Sequence, residues 1–212
     1  MSRLRSSIFG IFSSDSAPEN IGVYGPPNSG KTTLTNRIVK DCTDVPEEEL
    51  DLGSEGEIAH ETRRAMKQDD IEIEYEDTSV SFNIVDTPGV ENKIDYQDFV
   101  DEGMEEEEAI ERSREATEGI AEAMKWLRED IEGAIYVMDS TKDPISQVNT
   151  MVTGIIESQE LPIIIIANKT DLEDSNVSRI EEAYPQHPVV SASALEGDNM
   201  EEVYKAISEH LG

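Results

Sequence analysis

The chain has 212 residues, enough for one α/β domain with a full core and too few for two domains of ordinary size. Its 48 acidic and 17 basic residues leave a formal net charge of −31, which repels nucleic acid and anionic membranes at ordinary salt and works against a compact fold. A single cysteine, Cys42, excludes an intrachain disulfide and a cysteine metal cluster, and the longest apolar run, Leu161 to Ala167, is far short of the roughly 18 residues that cross a bilayer.

The first 19 residues read as an extension ahead of a domain spanning 20–212. Within it the stretch MSRLRSSIFGIF places Leu4, Ile8, Phe9, Ile11 and Phe12 beside Arg3 and Arg5. Its apolar run is shorter than a secretory signal needs, so it is expected to be retained. Residues 1–12 then either dock on a membrane surface or a partner protein, or cover an apolar patch of their own domain, or are disordered. Asn20 to Gly25 is a short apolar strand, and Lys31 to Lys40 is a helix with Leu34, Ile38 and Val39 on one face. Residues 41–66 lack a regular period and form a mobile connection. Strands 71–76 and 80–86 make an antiparallel hairpin about a turn at Asp77 to Ser79.

One long helix is expected over 98–131, with Ile110, Ser113, Thr117, Ile120, Met124, Leu127 and Ile131 as its seam. Strand and helix then alternate: strand 134–139, helix 144–158, strand 162–169, helix 175–184, strand 187–193, helix 198–211. Such alternation predicts a three-layer α/β fold, a mostly parallel six-stranded sheet with helices on both faces.

Four motifs carry the chemistry. GPPNSGKT, Gly25 to Thr32, has the spacing of a phosphate-binding loop, whose backbone N–H groups and lysine face phosphate oxygens at a helix amino terminus. DTPG, Asp86 to Gly89, ends a strand where an aspartate can hold a magnesium-bound water and a glycine N–H can meet a γ-phosphate. NKTD, Asn168 to Asp171, follows the most apolar strand, and Asp171 has two acceptor oxygens that suit the N1–H and N2–H donors of guanine. SAL, Ser193 to Leu195, follows the next strand, with SAS at 191–193 as a competing register.

In this order the motifs resemble the GTPase superfamily with its Ras-like G domain, from about residue 20 to the end of the chain. GPPNSGKT, HETR and DTPGV together are most similar to the Era-like branch. The resemblance implies a P-loop NTPase fold and a cycle of GTP and GDP with Mg2+. It assigns nucleotide contacts to Asn28, Ser29, Gly30, Lys31, Thr32, Thr33, Asp86, Gly89, Asn168, Lys169, Asp171, Ser193, Ala194 and Leu195. In it Asn168 ties the base to the loop, the Lys169 stem covers the ring, and the Ala194 N–H meets the guanine carbonyl. Magnesium falls to Thr32 directly, to Asp86 through water and to Thr62 of HETRRA, with Thr43 as the fallback for the last. Lys31, Thr62 and Gly89 become the catalytic set.

The departures are as informative. Val90 stands where many small GTPases carry a glutamine that orients water, so slow turnover is expected, or a binding module that scarcely hydrolyses GTP. A small-molecule kinase is the remaining alternative, and NKTD speaks against it. Asn28 occupies the position of a potassium ligand in Era-like GTPases, or else it ties the loop to a switch by a hydrogen bond. Era carries a further RNA-binding domain, and this chain is expected to end with its last G-domain helix, so no direct nucleic-acid binding is evident. An effector or activator protein is an expected partner beside GTP. Acidic residues spread along most of the chain match a surface adapted to molar salt, where the Debye length falls to about 3 Å. A halophilic archaeal source and a reducing cytoplasm are the expectation, with peripheral membrane attachment through the extension and a mesophilic acidic binding protein as alternatives.

Overall fold

The computed structural model describes residues 18–43, 65–75, 78–91, 95–101 and 103–212. The expectations placed on residues 1–17 and on Thr62, with the rest of 44–64, lie outside them.

Six strands form one sheet: β1 (Glu19–Tyr24), β2 (Met66–Tyr75), β3 (Thr78–Asp86), β4 (Gly133–Asp139), β5 (Ile163–Asn168) and β6 (Val189–Ser191). The order is β2-β3-β1-β4-β5-β6, with β2 and β3 antiparallel and every other neighbouring pair parallel. Helices α1 (Lys31–Cys42), α2 (Tyr96–Asp101), α3 (Glu106–Glu129), α4 (Gln147–Ser158), α5 (Val177–Ala183) and α6 (Met200–His210) complete the described elements. The expected α/β architecture is the one observed.

Strand β5 shows why the sheet needs cover on both sides. Ile164 and Ile166 enter the core under α1 and α6, while Ile163, Ile165 and Ala167 enter the core under α3, α4 and α5. A strand buried on both faces reads as an unbroken apolar run, because successive side chains point to opposite faces.

Three expectations are corrected. The helix expected over 98–131 is two helices, because the first is stopped by a Schellman cap. Gly103, at φ +101, donates its N–H to the Val100 carbonyl, and Met104 donates to the Phe99 carbonyl. The acidic run then starts α3, with Glu106, Glu107 and Glu108 in its first turn, where the helix dipole favours negative charge. Second, the seam of α3 is displaced from the expected one. Ala109, Ala116, Gly119, Ala123 and Leu127 are buried, whereas Ile110 is 44% exposed. The small residues let the helix lie close to the end of β3: a methyl at Gly119 would stand 3.1 Å from the Pro88 Cβ.

Third, β2 begins inside the segment expected to be irregular. Its first half is polar, and the register shifts between Gln68 and Ile71, where Asp70 sits at φ +59 and donates its N–H to the Asn83 Oδ1 at 3.1 Å. The bulge breaks the alternation that would have marked a strand. Tyr75 pairs with Thr78, so the hairpin also closes earlier than expected.

Gly119→Leu is expected to lower the unfolding free energy by about 1–3 kcal/mol through overpacking against Pro88, while Ile110→Ala changes it by less than about 0.5 kcal/mol. Urea titrations at fixed molar KCl compare them, and equal losses would return the seam to the Ile110 face.

Candidate functional site

The carboxyl ends of β1, β3, β4, β5 and β6 converge on one rim, the usual place for a ligand in an open parallel sheet. From β1 the chain runs through Gly25–Gly30 into the amino terminus of α1. Two glycines make that turn fit. Gly25 has φ +144 and Gly30 φ +95, and a Cβ would run into the Val137 carbonyl at the first and the Asn168 side-chain nitrogen at the second. Asn28 is exposed at φ +58, a conformation asparagine tolerates better than most residues.

Lys31 folds back inside this loop and donates Nζ to the Pro26 carbonyl at 2.8 Å. Burial lowers its pKa to about 8, against the charges of Asp86 and Glu91, which raise it. A buried ammonium whose hydrogen bond among the described residues goes to a neutral carbonyl, in a glycine-shaped concavity, is suited to an anion. The Ser29 Oγ, buried without a hydrogen-bond partner among the described residues, is a further polar atom left for a ligand. Next to the lysine, the Thr32 hydroxyl donates to the Asp86 Oδ2 at 2.6 Å, so an oxygen pair of the kind that hard divalent cations use stands at the loop's edge. Thr33 follows on α1, half-buried.

The segment after β3 lies against the loop. Thr87 donates its hydroxyl to the Val23 carbonyl at 2.6 Å, and the Val90 N–H reaches the Gly25 carbonyl at 3.3 Å. A Cβ on Gly89 would stand 3.0 Å from the Pro27 Cα, so only glycine allows this approach without displacement. The Val90 side chain is fully buried in the core under α3 and α4. Beyond it, Glu91 forms an ion pair with Arg112 of α3 at 2.8 Å, and the same helix accepts the Ala65 N–H on Glu122 at 2.9 Å.

Asn168 ties the rim together. Its Nδ2 donates to the Ser29 carbonyl at 2.9 Å, and its Oδ1 accepts the Ala194 N–H at 2.9 Å. Lys169 adopts φ +66 and pairs Nζ with the Asp139 Oδ2 at 2.8 Å. Burial pushes the Asp139 carboxyl up, but hydrogen bonds from Lys169 and Thr141 outweigh it and hold the group below its ordinary range. Asp171 is exposed beside them. Ser193 and Ala194 are buried and Leu195 is 59% exposed; the Ser193 Oγ accepts the Glu196 N–H at 3.1 Å, and the Arg37 guanidinium donates to the Ala194 and Leu195 carbonyls. A cleft of about 680 Å3 opens beside the loop, lined among others by Pro26, Asn28, Val90, Asp139 and Lys169.

The structure thus brings together the described residues of GPPNSGKT, DTPG, NKTD and SAL. It places Thr43 elsewhere, at the far end of α1, where its hydroxyl bonds the Val39 carbonyl at 2.7 Å, roughly 18 Å of helix rise from the loop. Two residues escaped the sequence reading. Asp139 carried a signal, an aspartate closing an apolar strand as Asp86 does; Arg37, one arginine on the polar face of a helix, carried none.

A family model described as 50S ribosome-binding GTPase matches residues 20–169. GTPase Era of Pseudomonas fluorescens is 26% identical over 197 residues, which span 90% of this chain and 54% of that protein. GTPase Der of Mycoplasmopsis pulmonis is 28% identical over 197 residues, 88% of this chain and 38% of that protein. The chain therefore spans about half the length of the Era relative and less of the Der one. Among solved structures, Era from Aquifex aeolicus bound to GDP·AlF4− superposes with a TM-score of 0.59 at 19% identity, covering 90% of this chain and 56% of that one. The signal recognition particle receptor SRb-GTP/SRX complex from Chaetomium thermophilum gives 0.58 at 14%, covering 92% and 99%. At such identities the superpositions speak for the fold, and the fold agrees with the family model. With its phosphate-loop geometry, its close DTPG segment and the Asn168 bracket, the chain belongs to the 50S ribosome-binding GTPase family.

Proposed function

We propose that residues 20–212 act as one G domain, a GTP-binding switch with slow Mg-dependent hydrolysis. The observation that carries this reading is the Asn168 amide, which joins the phosphate loop to the Ser193–Leu195 loop and so relates a phosphate site to a base site. Lys31 and the loop N–H groups take the phosphates, with the Ser29 hydroxyl, Thr32 and Thr33 around them. Asp171 accepts from guanine, Lys169 covers the ring, and the Ala194 N–H is shared between Asn168 and the base. Thr32 directly and Asp86 through water would hold Mg2+, whose charge offsets that of the phosphates, and Thr62 would close over the γ-phosphate. The Gly89 N–H would meet that phosphate from the other side.

The contacts of α3 support a switch in which the segments 41–66 and 87–104 respond to the γ-phosphate. Glu122 holds Ala65 at the end of the first and Arg112 pairs with Glu91 inside the second, two residues after Gly89, so a change at Gly89 would be passed to the helix. Slow turnover is supported by Val90, whose buried apolar side chain orients no water. The same feature favours the second reading, a GTP-dependent binding module with negligible hydrolysis. Asn28, exposed at the loop's crest, is the candidate potassium ligand that would offset phosphate charge in place of an arginine.

An effector or activator protein remains part of the proposal. RNA is a second partner class: a solved structure of Era is a complex with MgGDPNP and 16S ribosomal RNA, and 56% of that chain is matched here. A net charge of −31 opposes direct contact with RNA except at high salt. No helix among the described residues is long and apolar enough to cross a membrane. We place the protein in the cytoplasm of a halophilic archaeon, with residues 1–12 as a docking segment for a membrane surface or protein.

Turnover of GTP at molar KCl is expected to exceed that at molar NaCl by about tenfold or more, and Asn28→Ala is expected to abolish the difference. Equal rates in both salts remove potassium, and binding without turnover in either selects the binding module. Asp171→Asn exchanges one acceptor for a donor; a loss of GTP affinity on the order of 100-fold, with a gain for xanthosine triphosphate, is the expected result of competition binding. The Tm should rise by several degrees between low and molar KCl as self-repulsion is screened, and a flat profile excludes the salt-adapted surface.

A further inference from the structure

We infer that Arg37, which lies in none of the four motifs, is a positioning residue for guanine recognition and sets the lifetime of the bound nucleotide. The inference rests on the nucleotide reading above and deepens it.

The loop that follows β6 is a tight turn about Ser193. The Gly197 and Asp198 N–H groups both reach the Ser193 carbonyl, at 2.8 and 3.1 Å, and the Glu196 N–H reaches its hydroxyl. Turning the chain this sharply leaves the Ala194 and Leu195 carbonyls aimed at one point, where their negative ends repel. The Arg37 fork fills that point, with Nε 3.3 Å from the Ala194 oxygen and Nη2 2.8 Å from the Leu195 oxygen. A planar guanidinium is the side chain whose donors match two neighbouring acceptors.

Gly197 is shaped to the same group. It sits at φ +81, and a Cβ there would lie 3.2 Å from the Arg37 Cζ and Nη1. The glycine therefore makes room for the guanidinium as well as for the turn. The Leu195 side chain is largely exposed and gives the outer part of the loop little apolar anchorage. Inward, the loop is held by the Ala194 N–H on Asn168; outward, by Arg37.

Arg37 belongs to α1, whose first residue is Lys31. One rigid helix thus presents the phosphate-binding terminus and, nearly two turns on, holds the base-binding loop. At its end Asp41 accepts the Tyr204 hydroxyl of α6 at 2.7 Å, so α1 grips the chain on both sides of that loop's exit. The spacing between the two halves of the nucleotide site is set by α1, and Arg37 is where that spacing is transmitted. Carbonyl partners also suit a salty medium, since a bond to a neutral acceptor depends less on screened charge–charge attraction than a surface ion pair does.

The test is GDP dissociation from the full chain with Mg2+ at molar KCl, followed with a fluorescent GDP. Arg37→Ala is expected to speed release about 10- to 100-fold, the range for losing charge-assisted hydrogen bonds, and Arg37→Lys to give an intermediate rate because one donor head replaces the fork. Inhibition by inorganic tripolyphosphate, which engages only the phosphate half, is expected to stay within about twofold. Parallel weakening of tripolyphosphate would show a general loss of structure and overturn the inference. A GDP release rate unchanged in Arg37→Ala would also overturn it. If Arg37→Ala folds poorly, hydrogen exchange in Arg37→Lys decides: faster exchange confined to 193–198 supports the clasp, and unchanged exchange there overturns it. Wild-type chain that fails to bind GDP at all would overturn the nucleotide reading itself, a result distinct from any of these.

Discussion

The rim of this sheet depends on one buried amide. Asn168 spends both ends of its side chain on main-chain groups of other segments, one 139 residues earlier and one 26 residues later. Neither bond can be replaced by water, because the group is almost wholly enclosed, and the loss of either would leave a buried carbonyl or N–H without its partner. The shape of the phosphate loop follows from it. Gly30 must lack a side chain because the Asn168 nitrogen occupies the space a Cβ would need. The left-handed turn at Lys169 follows too, since the strand has to end on Asn168 and send the next side chain back towards Asp139.

Around this bracket the molecule trades bulk for proximity. Gly89 against Pro27 and Gly119 against Pro88 are both contacts that a single methyl would disturb. They bring the end of β3 into van der Waals contact with the phosphate loop on one side and with α3 on the other. A helix seam of alanine and glycine buries less apolar area than one of isoleucine, and its stabilisation is correspondingly smaller. The gain is that displacement of the β3 end by a few tenths of an ångström meets atoms on both sides, so α3 has to respond to it.

Much of this was legible in the sequence. Motif spacing and the alternation of strand and helix after residue 133 led to the sheet, its parallel connections and the cluster of loops at one rim. The misreadings share a cause. Periodicity weighted by hydrophobicity prefers Ile110 to Ala109, although close packing selects the smaller residue, and it merges α2 with α3 because the Schellman cap at Gly103 is a matter of φ. The polar start of β2 hid a strand because a bulge shifts its register. Arg37 stayed invisible because its partners are carbonyls, which every residue has. Asp139 and Lys169 stand 30 positions apart, and only the parallel pairing of β4 with β5 brings them together.

The bulge at Asp70 bears on how this chain avoids sticking to itself. Among the described residues the sheet ends in two edge strands, β2 and β6, and open edges invite pairing with another chain. Charges on β2, such as Lys67, Asp69 and Glu72, are the usual deterrent, but screening weakens it as ionic strength rises. Geometry is indifferent to salt. A left-handed residue that interrupts the β2 ladder, and a β6 edge only three residues long, deny a second strand a continuous row of donors and acceptors whether the medium is dilute or concentrated.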